Sequence, residues 1–277
     1  MRIFARVKSK SMSIYQRIAE NLQYISPGFY KKRFFKSLNN LSKDNFSSRN
    51  VEPELVWIKE FLNKKSVILD IGANVGTFLY QLENKLDHEQ IYAFEPNKKL
   101  YRRLKRLFPG MRVFPLALSD ENTTAEFKVP IINGKTIASR GTLNTSYKEK
   151  GEERSYTEKV KVIRLDDWAA IENFHRLDFI KIDVEGNEMK TLSGAREVIC
   201  KFLPVLMVEM EQRHHDTPIW TEISEVESWG YASHYLNRST FELEKLTEEI
   251  LLQNISDEKN KKEYINNIIF IPKSPQK

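Results

Sequence analysis

One cysteine, Cys200, stands in the whole sequence. That excludes an intramolecular disulfide and any metal site built from several cysteines. Its neighbours Val198, Ile199, Phe202 and Leu203 form an apolar helical stretch, which fits a buried small hydrophobe. No run of about 18 apolar residues occurs, so no membrane span is expected. The N-terminus carries no apolar segment followed by a small-residue cleavage site, so the expectation is a cytoplasmic protein that is not secreted. The five histidines show no zinc spacing. Neither G-x-G-x-x-G nor G-x-x-x-x-G-K-[ST] is present, which argues against a dinucleotide and against ATP.

Positive charge is confined to one end. Residues 1–45 carry ten Lys and Arg against Glu20 and Asp44, a balance of +8. The whole chain is +6, so residues 46–277 carry −2. Ile14, Ile18, Leu22 and Ile25 have helical spacing, and Ser26-Pro27-Gly28 interrupts it before Phe29 to Leu41. Phe29, Tyr30, Phe34 and Phe35 flank Lys31–Arg33. Two readings stay open: a surface that meets a polyanion or anionic lipid, as in a peripheral contact at the inner face of the membrane, or a helical cap on the rest of the protein or on a second copy in a homo-oligomer.

A chain of 277 residues can hold one large α/β domain with additions. The division expected is a basic helical extension over residues 1–50 and a single domain over 51–277, interrupted by an insertion at 123–163. The domain is organised around Val67 to Phe78. Val67 to Ile71 reads as a buried parallel strand. Gly72 and Gly76 then permit a tight turn and close approach of backbone to a ligand. Thr77 to Leu86 resumes helical spacing. A strand at Gln90–Phe94, a helix at Lys98–Leu107 and a strand at Arg112–Leu118 complete half of a doubly wound sheet. Phe179–Asp183 and Pro204–Met210 are the fourth and fifth strands. A helix at Asn187–Leu203 lies between them. Tyr231–Leu236 and Asn267–Ile271 are closing strands, antiparallel to each other. Within the insertion, Glu126–Val129 and Val160–Ile163 alternate like strands with one wet face. This hairpin should hang over the carboxyl edge of the sheet, either shaping acceptor specificity or forming a surface flap.

Ligands of open parallel sheets bind beyond the carboxyl ends of the strands. Standing there are Asp70, Glu95, Ser119-Asp120, Asp183-Val-Glu185 and Glu209. Glu95 is suited to grip two ribose hydroxyls, one per carboxylate oxygen. Asp70 can hold the glycine turn or an amino group, and Asp120 can reach an adenine edge. An adenosine without a pyrophosphate points to S-adenosylmethionine.

Asp70-Ile-Gly-Ala-Asn-Val-Gly76, Phe94-Glu-Pro-Asn97, Ala117-Leu-Ser-Asp120, Leu165-Asp-Asp167 and Ile182-Asp-Val-Glu-Gly-Asn-Glu188 together resemble the FkbM family of S-adenosylmethionine-dependent methyltransferases. The resemblance covers about residues 66–210. It implies a class I, Rossmann-like methyltransferase fold: a mostly parallel sheet with an antiparallel last strand. It also implies methylation of a hydroxyl on a sugar, a glycan or a glycosylated small molecule. The family's cofactor role falls on Gly72, Asn74, Gly76, Glu95, Pro96, Ser119 and Asp120.

Methyl transfer needs the acceptor oxygen held close and its proton removed, by a base or with a metal ion. Asp183 and Glu209 end adjacent strands and can place or deprotonate the hydroxyl, or hold a divalent cation such as Mg²⁺. Glu185 and Glu188 open the next helix, as catalytic groups or as N-terminal caps. Of His214 and His215, which point apart, at most one can act as a base near neutral pH. Two rival functions are a nucleic-acid methyltransferase and a non-catalytic binding protein with a vestigial cofactor pocket. Against the first, the run after the fourth strand is acidic where phosphates would approach.

Overall fold

The computed structural model describes residues 14–172, 174–215, 217–256 and 264–273, with backbone only for 14–19. The basic residues Arg2, Arg6, Lys8 and Lys10 lie outside the described residues, as do the side chains of Ile14 and Ile18.

Each short apolar segment of the first half becomes a strand, and each periodic one a helix. β1 (Ile68–Ile71), β2 (Ile91–Phe94) and β3 (Arg112–Phe114) are joined by α4 (Thr77–Leu82) and α5 (Lys98–Leu107). Ahead of them stand α1 (Ile14–Ile25), α2 (Pro27–Phe34) and α3 (Glu54–Phe61). The second half supplies α6 (Leu165–Glu172), β8 (Phe179–Ile182), α7 (Glu188–Ser193), α8 (Arg196–Phe202) and β9 (Val205–Glu209). It closes with α9 (Ile219–Ser228), β10 (Tyr231–Leu236), β11 (Leu243–Lys245), α10 (Glu248–Ser256) and β12 (Asn267–Pro272).

The main sheet has the order β11-β10-β12-β9-β8-β1-β2-β3. β1 pairs in parallel with both β2 and β8, and β8 with β9. β12 slots between β9 and β10, antiparallel to both. This is a Rossmann-like α/β sheet whose strand order reverses at β1. It opens a crevice there. Side chains alternate across the sheet. Leu69, Ile71, Ile180 and Ile182 pack on the side of Trp168, Leu192 and Ile199, whereas Ile68 packs on the side of Leu79, Leu82 and Leu104. Burying one such Leu or Ile stabilises the fold by about 1.5–3 kcal/mol.

Four sequence expectations change. The third strand is broken at Pro115, which has no N–H for the ladder. Arg112–Phe114 stays in the main sheet, while β4 (Leu116–Leu118) joins a second one. That second sheet runs β4-β7-β5-β6, with β5 (Thr123–Ile132), β6 (Lys135–Thr136) and β7 (Glu152–Ile163). The insertion is therefore far more ordered than a flap, with its own core of Ala117, Phe127, Val129, Val160 and Val162. The helix expected over 187–203 breaks at Gly194, where a Cβ would lie 1.9 Å from the Ser119 carbonyl oxygen. Cys200 is exposed on α8, not buried, because it falls on the outer face of that helix.

The N-terminal helices cap the sheet's α4–α5 side. Tyr30, Phe35 and Leu38 are buried against that core. Lys31 pairs with Glu83, and Arg103 lies over the Phe34 ring, 4.0 Å from its centre. No helix among the described residues is long and apolar enough to cross a membrane.

Candidate active site

The glycine turn is built by the strands beside it. The N–H groups of Gly72 and Ala73 both donate to the Phe94 carbonyl, at 3.0 Å each. Gly72 has φ +80°, and a Cβ there would sit 1.9 Å from the Asp183 carbonyl oxygen. Only glycine lets β1 and β8 end this close together. Asn74 follows in the left-handed region, with φ +52°. Gly76 is different. Its missing Cβ faces Leu104 and Phe108 in the core, so it serves helix packing and does not line the cleft.

Glu95 ties the turn to the second strand. Its Oε2 accepts from the Asn74 N–H at 2.7 Å and its Oε1 from the Asn97 N–H at 2.8 Å. Burial pushes this carboxyl up to about 7, against the pull of those two donors. Each oxygen keeps a further lone pair for a hydroxyl.

A cleft opens beside these residues. Gly72, Asn74, Glu95 and Pro96 line one wall, and Leu116, Ala117 and Leu118 the next. Phe127, Ala138, Gly141 and Leu143 of the insertion also line it, and Asp183, Val184 and Glu185 form the far end. The insertion is fastened in place. Thr142 Oγ1 donates to the Glu185 carbonyl at 2.7 Å, and Arg213 bonds the Glu149 carboxylate at 3.0 Å. Ser119 and Asp120 do not line the cleft; Ser119 Oγ donates to Asp120, and Asn187 bonds the Leu118 carbonyl behind it.

Asp70 does not reach the cleft either. It is 1% exposed and faces Lys181, whose Nζ lies 3.4 Å from Asp70 Oδ1 and 3.1 Å from Asp183 Oδ2. Asp70 and Lys181 are register partners on neighbouring strands, so their side chains share one face of the sheet. Lys181 also donates to the Gly72 carbonyl at 3.0 Å. The sequence reading missed this residue. Its signal was there: a lysine inside Phe-Ile-Lys-Ile-Asp must be buried, and a buried ammonium needs partners. Glu52 was missed too. It approaches Asp183 and Lys181 from the segment before α3 on a residue whose surface is exposed, and the enclosure of its carboxyl, then the Asp183 charge, raises it. No local pattern marks it.

The β8–β9 register sets Asp183 beside Glu209, and their carboxyls hydrogen-bond. Lys181 and that bond hold Asp183 below the ordinary carboxylate range. Burial and the Asp183 charge push Glu209 well above it, so Glu209 carries the shared proton. Asn266 Nδ2 donates to Glu209 Oε1 at 2.7 Å. Mg²⁺ does not fit this pair: the Lys181 ammonium already stands 3.1 Å from Asp183 where a cation would sit, and no group of three metal-ligating side chains exists among the described residues.

Glu185 has φ +54°, a strained conformation of the sort that collects at functional sites. Burial, then the Asp183 charge, raises it to about 8. Its Oε2 lies 3.5 Å from His214 Nε2. Burial and Arg213 lower His214 to about 4, so its ring, stacked on Tyr147, is uncharged. Glu188 accepts from the Val184 and Gly186 N–H groups, so it braces the loop before the helix and does not cap the helix itself. His215 is bonded to Glu222 at 2.9 Å and stands apart from the cleft.

A second hollow of about 980 Å³ lies across the glycine turn, lined by Phe34, Phe35, Leu38, Glu52, Lys181 and Asp183. Gly72, Asn74 and Asp183 border both spaces. Asn74 Oδ1 is buried there with no hydrogen-bond partner. An acceptor atom left open at the cleft, an apolar slot at Leu116–Leu118 and the Glu95 carboxyl fit an adenosyl cofactor.

Residues 70–235 match the model of the methyltransferase FkbM domain. The chain is 28% identical over 166 residues to the 2-O-methyltransferase NoeI of Sinorhizobium fredii, a match covering 56% of this chain and 67% of that protein. It is 28% identical over 138 residues to the hexuronic acid methyltransferase AglP of Haloferax volcanii, covering 49% and 52%. Among solved structures, a methyltransferase FkbM from Methylobacillus flagellatus aligns with TM-score 0.46 and 15% identity. That alignment covers 76% of this chain and 44% of the other, so this chain spans less than half of that one's length.

Proposed function

This chain belongs to the FkbM family of S-adenosylmethionine-dependent methyltransferases, and we propose that it methylates a hydroxyl of a sugar or glycan. The observation that carries the proposal is the ionised Asp183 at the junction of the two hollows, clamped by Lys181 at 3.1 Å. Two relatives whose names state 2-O-methylation and hexuronic acid methylation support a sugar acceptor.

When bound, the cofactor supplies an electrophilic methyl group on sulfur. Glu95 and Asn74 would hold its sugar hydroxyls and polar tail, Pro96 and Leu116–Leu118 would enclose its base, and Gly72 would let it lie close to the backbone. Ser119 and Asp120 follow the slot's strand and do not line it. Asp183 would accept the hydrogen bond of the acceptor hydroxyl, aim the oxygen lone pair and take its proton as the C–O bond forms and the methyl's C–S bond breaks, the thioether product leaving. Glu209 is a positioning residue. As a neutral acid it donates to Asp183 and cannot be a second base. With Glu185 protonated near neutral pH and His214 uncharged, Asp183 is the ionised carboxylate that faces the acceptor. Neighbouring carboxyls pushed apart in this way mark which is base and which is acid.

The exposed Tyr24, Ile25 and Phe29, beside Lys32, support a peripheral contact with anionic lipid at the inner face of the membrane, for an enzyme working in the cytoplasm. The test of the main proposal is transfer of isotope from labelled S-adenosylmethionine to a panel of sugars, nucleotide sugars and oligosaccharides, with RNA alongside. Label in a sugar hydroxyl is the expected result. Label in RNA, or in nothing, overturns the proposal.

A further inference from the structure

Past β9 the carboxyl edge of the sheet runs on into a third hollow, of about 1,000 Å³. The chemistry above makes no use of it. Its lining includes Glu54, Asn237, Arg238, Gln253, Asn254 and Asn267. Amide, carboxyl and guanidinium groups are planar and bond in pairs, which suits the adjacent hydroxyls of a sugar ring. Tyr235 and Tyr264 add two aromatic rings to the wall.

Two polar atoms at this hollow have no partner: Glu54 Oε2 and Asn267 Nδ2, on side chains of residues only 4% and 5% exposed. One is an acceptor or acid and the other a donor, and they come from different elements, α3 and β12. A buried polar atom left unbonded costs about 1–3 kcal/mol, which a ligand hydroxyl recovers.

The register locates the hollow relative to the reaction centre. Asn267 is the partner of Glu209 on the adjacent strand. Glu209 is in turn bonded to Asp183, and Asn266 to Glu209. With strands about 4.8 Å apart, Asn267 stands two strand spacings, roughly 10 Å, from Asp183. A single ring cannot present a hydroxyl to Asp183 and fill this hollow as well. The next unit of a sugar chain can.

We propose that the hollow bounded by α3, β10, α10 and β12 is a second sugar subsite, and that the acceptor is an oligosaccharide and not a free monosaccharide. This rests on the sugar reading above. The test measures kcat/KM for methyl transfer to the chitin, maltose and galacturonate series, monomer to tetramer. Ser239→Trp is made alongside; Ser239 is exposed at the rim, so the indole blocks the hollow without entering the core. Asn267→Ala is the second variant. The expected result is a gain of about tenfold or more in kcat/KM from monomer to longer chains in one series, mostly in KM. Both variants erase most of that gain, while calorimetry finds cofactor affinity unchanged and so reports an intact fold. Equal turnover of monomer and oligomers, or a length dependence that survives both variants, overturns the subsite and leaves the sugar reading standing. Absence of transfer to any sugar of any length ends both.

Discussion

The Lys181 ammonium lies 3.1 Å from the Asp183 carboxylate, inside a parallel strand that is otherwise apolar. The same ammonium reaches Asp70 and the Gly72 carbonyl. One buried cation thus aligns the end of β8 with the turn after β1 and holds the acid between them ionised. Glu209, on the other side of Asp183, takes up the proton that two adjacent carboxyls cannot both give away.

Asp183→Asn removes the ionised carboxylate proposed to take the hydroxyl proton. Turnover should fall by roughly 10²- to 10⁴-fold, the usual worth of a general base. Cofactor affinity by calorimetry should stay about the same, since Glu95 and Asn74 are untouched. A variant that keeps full activity would show that Asp183 is not the base.

Glu95→Gln tests the cofactor grip. Burial raises the wild-type group to about 7, and the ionised form is the one with lone pairs for hydroxyls. Cofactor affinity should therefore weaken as pH falls below about 7, by up to tenfold per pH unit. The Gln variant should bind at least about tenfold more weakly at pH near 8 and lose that pH dependence, because its amide nitrogen opposes one of two backbone donors. An unchanged dissociation constant in the variant counts against the role.

Chelation separates acid–base from metal chemistry. Because Asp183 and Glu209 share a proton beside an ammonium, a divalent cation would have to displace the one and tolerate the other. Turnover should be the same in EDTA and in added Mg²⁺. Activity lost to EDTA and restored by Mg²⁺ would refute the proton-sharing arrangement.

Thr142→Val cuts the tie between the insertion and the Glu185 carbonyl, 2.7 Å long in the wild type. Loss of about 1 kcal/mol is expected. Amide exchange should quicken around Ala138–Tyr147 and stay slow in α4. Uniform exchange in both proteins would mean that the insertion is held by other contacts.

Glu54→Gln probes the linkage of folding to pH. Burial, then Glu52, raises Glu54 from 4.5 to about 7. Between those values the folded chain keeps a proton that the unfolded chain has lost. Stability from this group is therefore complete below about 4.5 and falls as pH rises to about 7, by up to ~1.4 kcal/mol per pH unit. The Gln variant stays neutral throughout, so its denaturation midpoint should decline less over that window. Parallel declines would dispose of the assignment.

The sequence by itself determined the parallel strands, the turn glycine at Gly72 and the row of acids at the strand ends. Those features rest on period-two and period-3.6 patterning and on residues a few positions apart. Even the pairing of Asp183 with Glu209 followed from two consecutive strands of a βαβ unit. What tertiary structure alone decided was the condition of those groups. Gly76 turned out to face Leu104, and Asp70 to face Lys181, because side-chain direction depends on which strands are neighbours. The ionisation of Asp183, Glu209 and Glu185 depends on burial and on charges brought in from Lys181, Arg213 and Glu52, a contribution no local window contains. The break at Pro115 was readable as a lost N–H, but its result, a second sheet lining the cleft, came from long-range pairing of β4 with β7. Local sequence chooses elements, while electrostatics and enclosure are sums over everything that packs around a point.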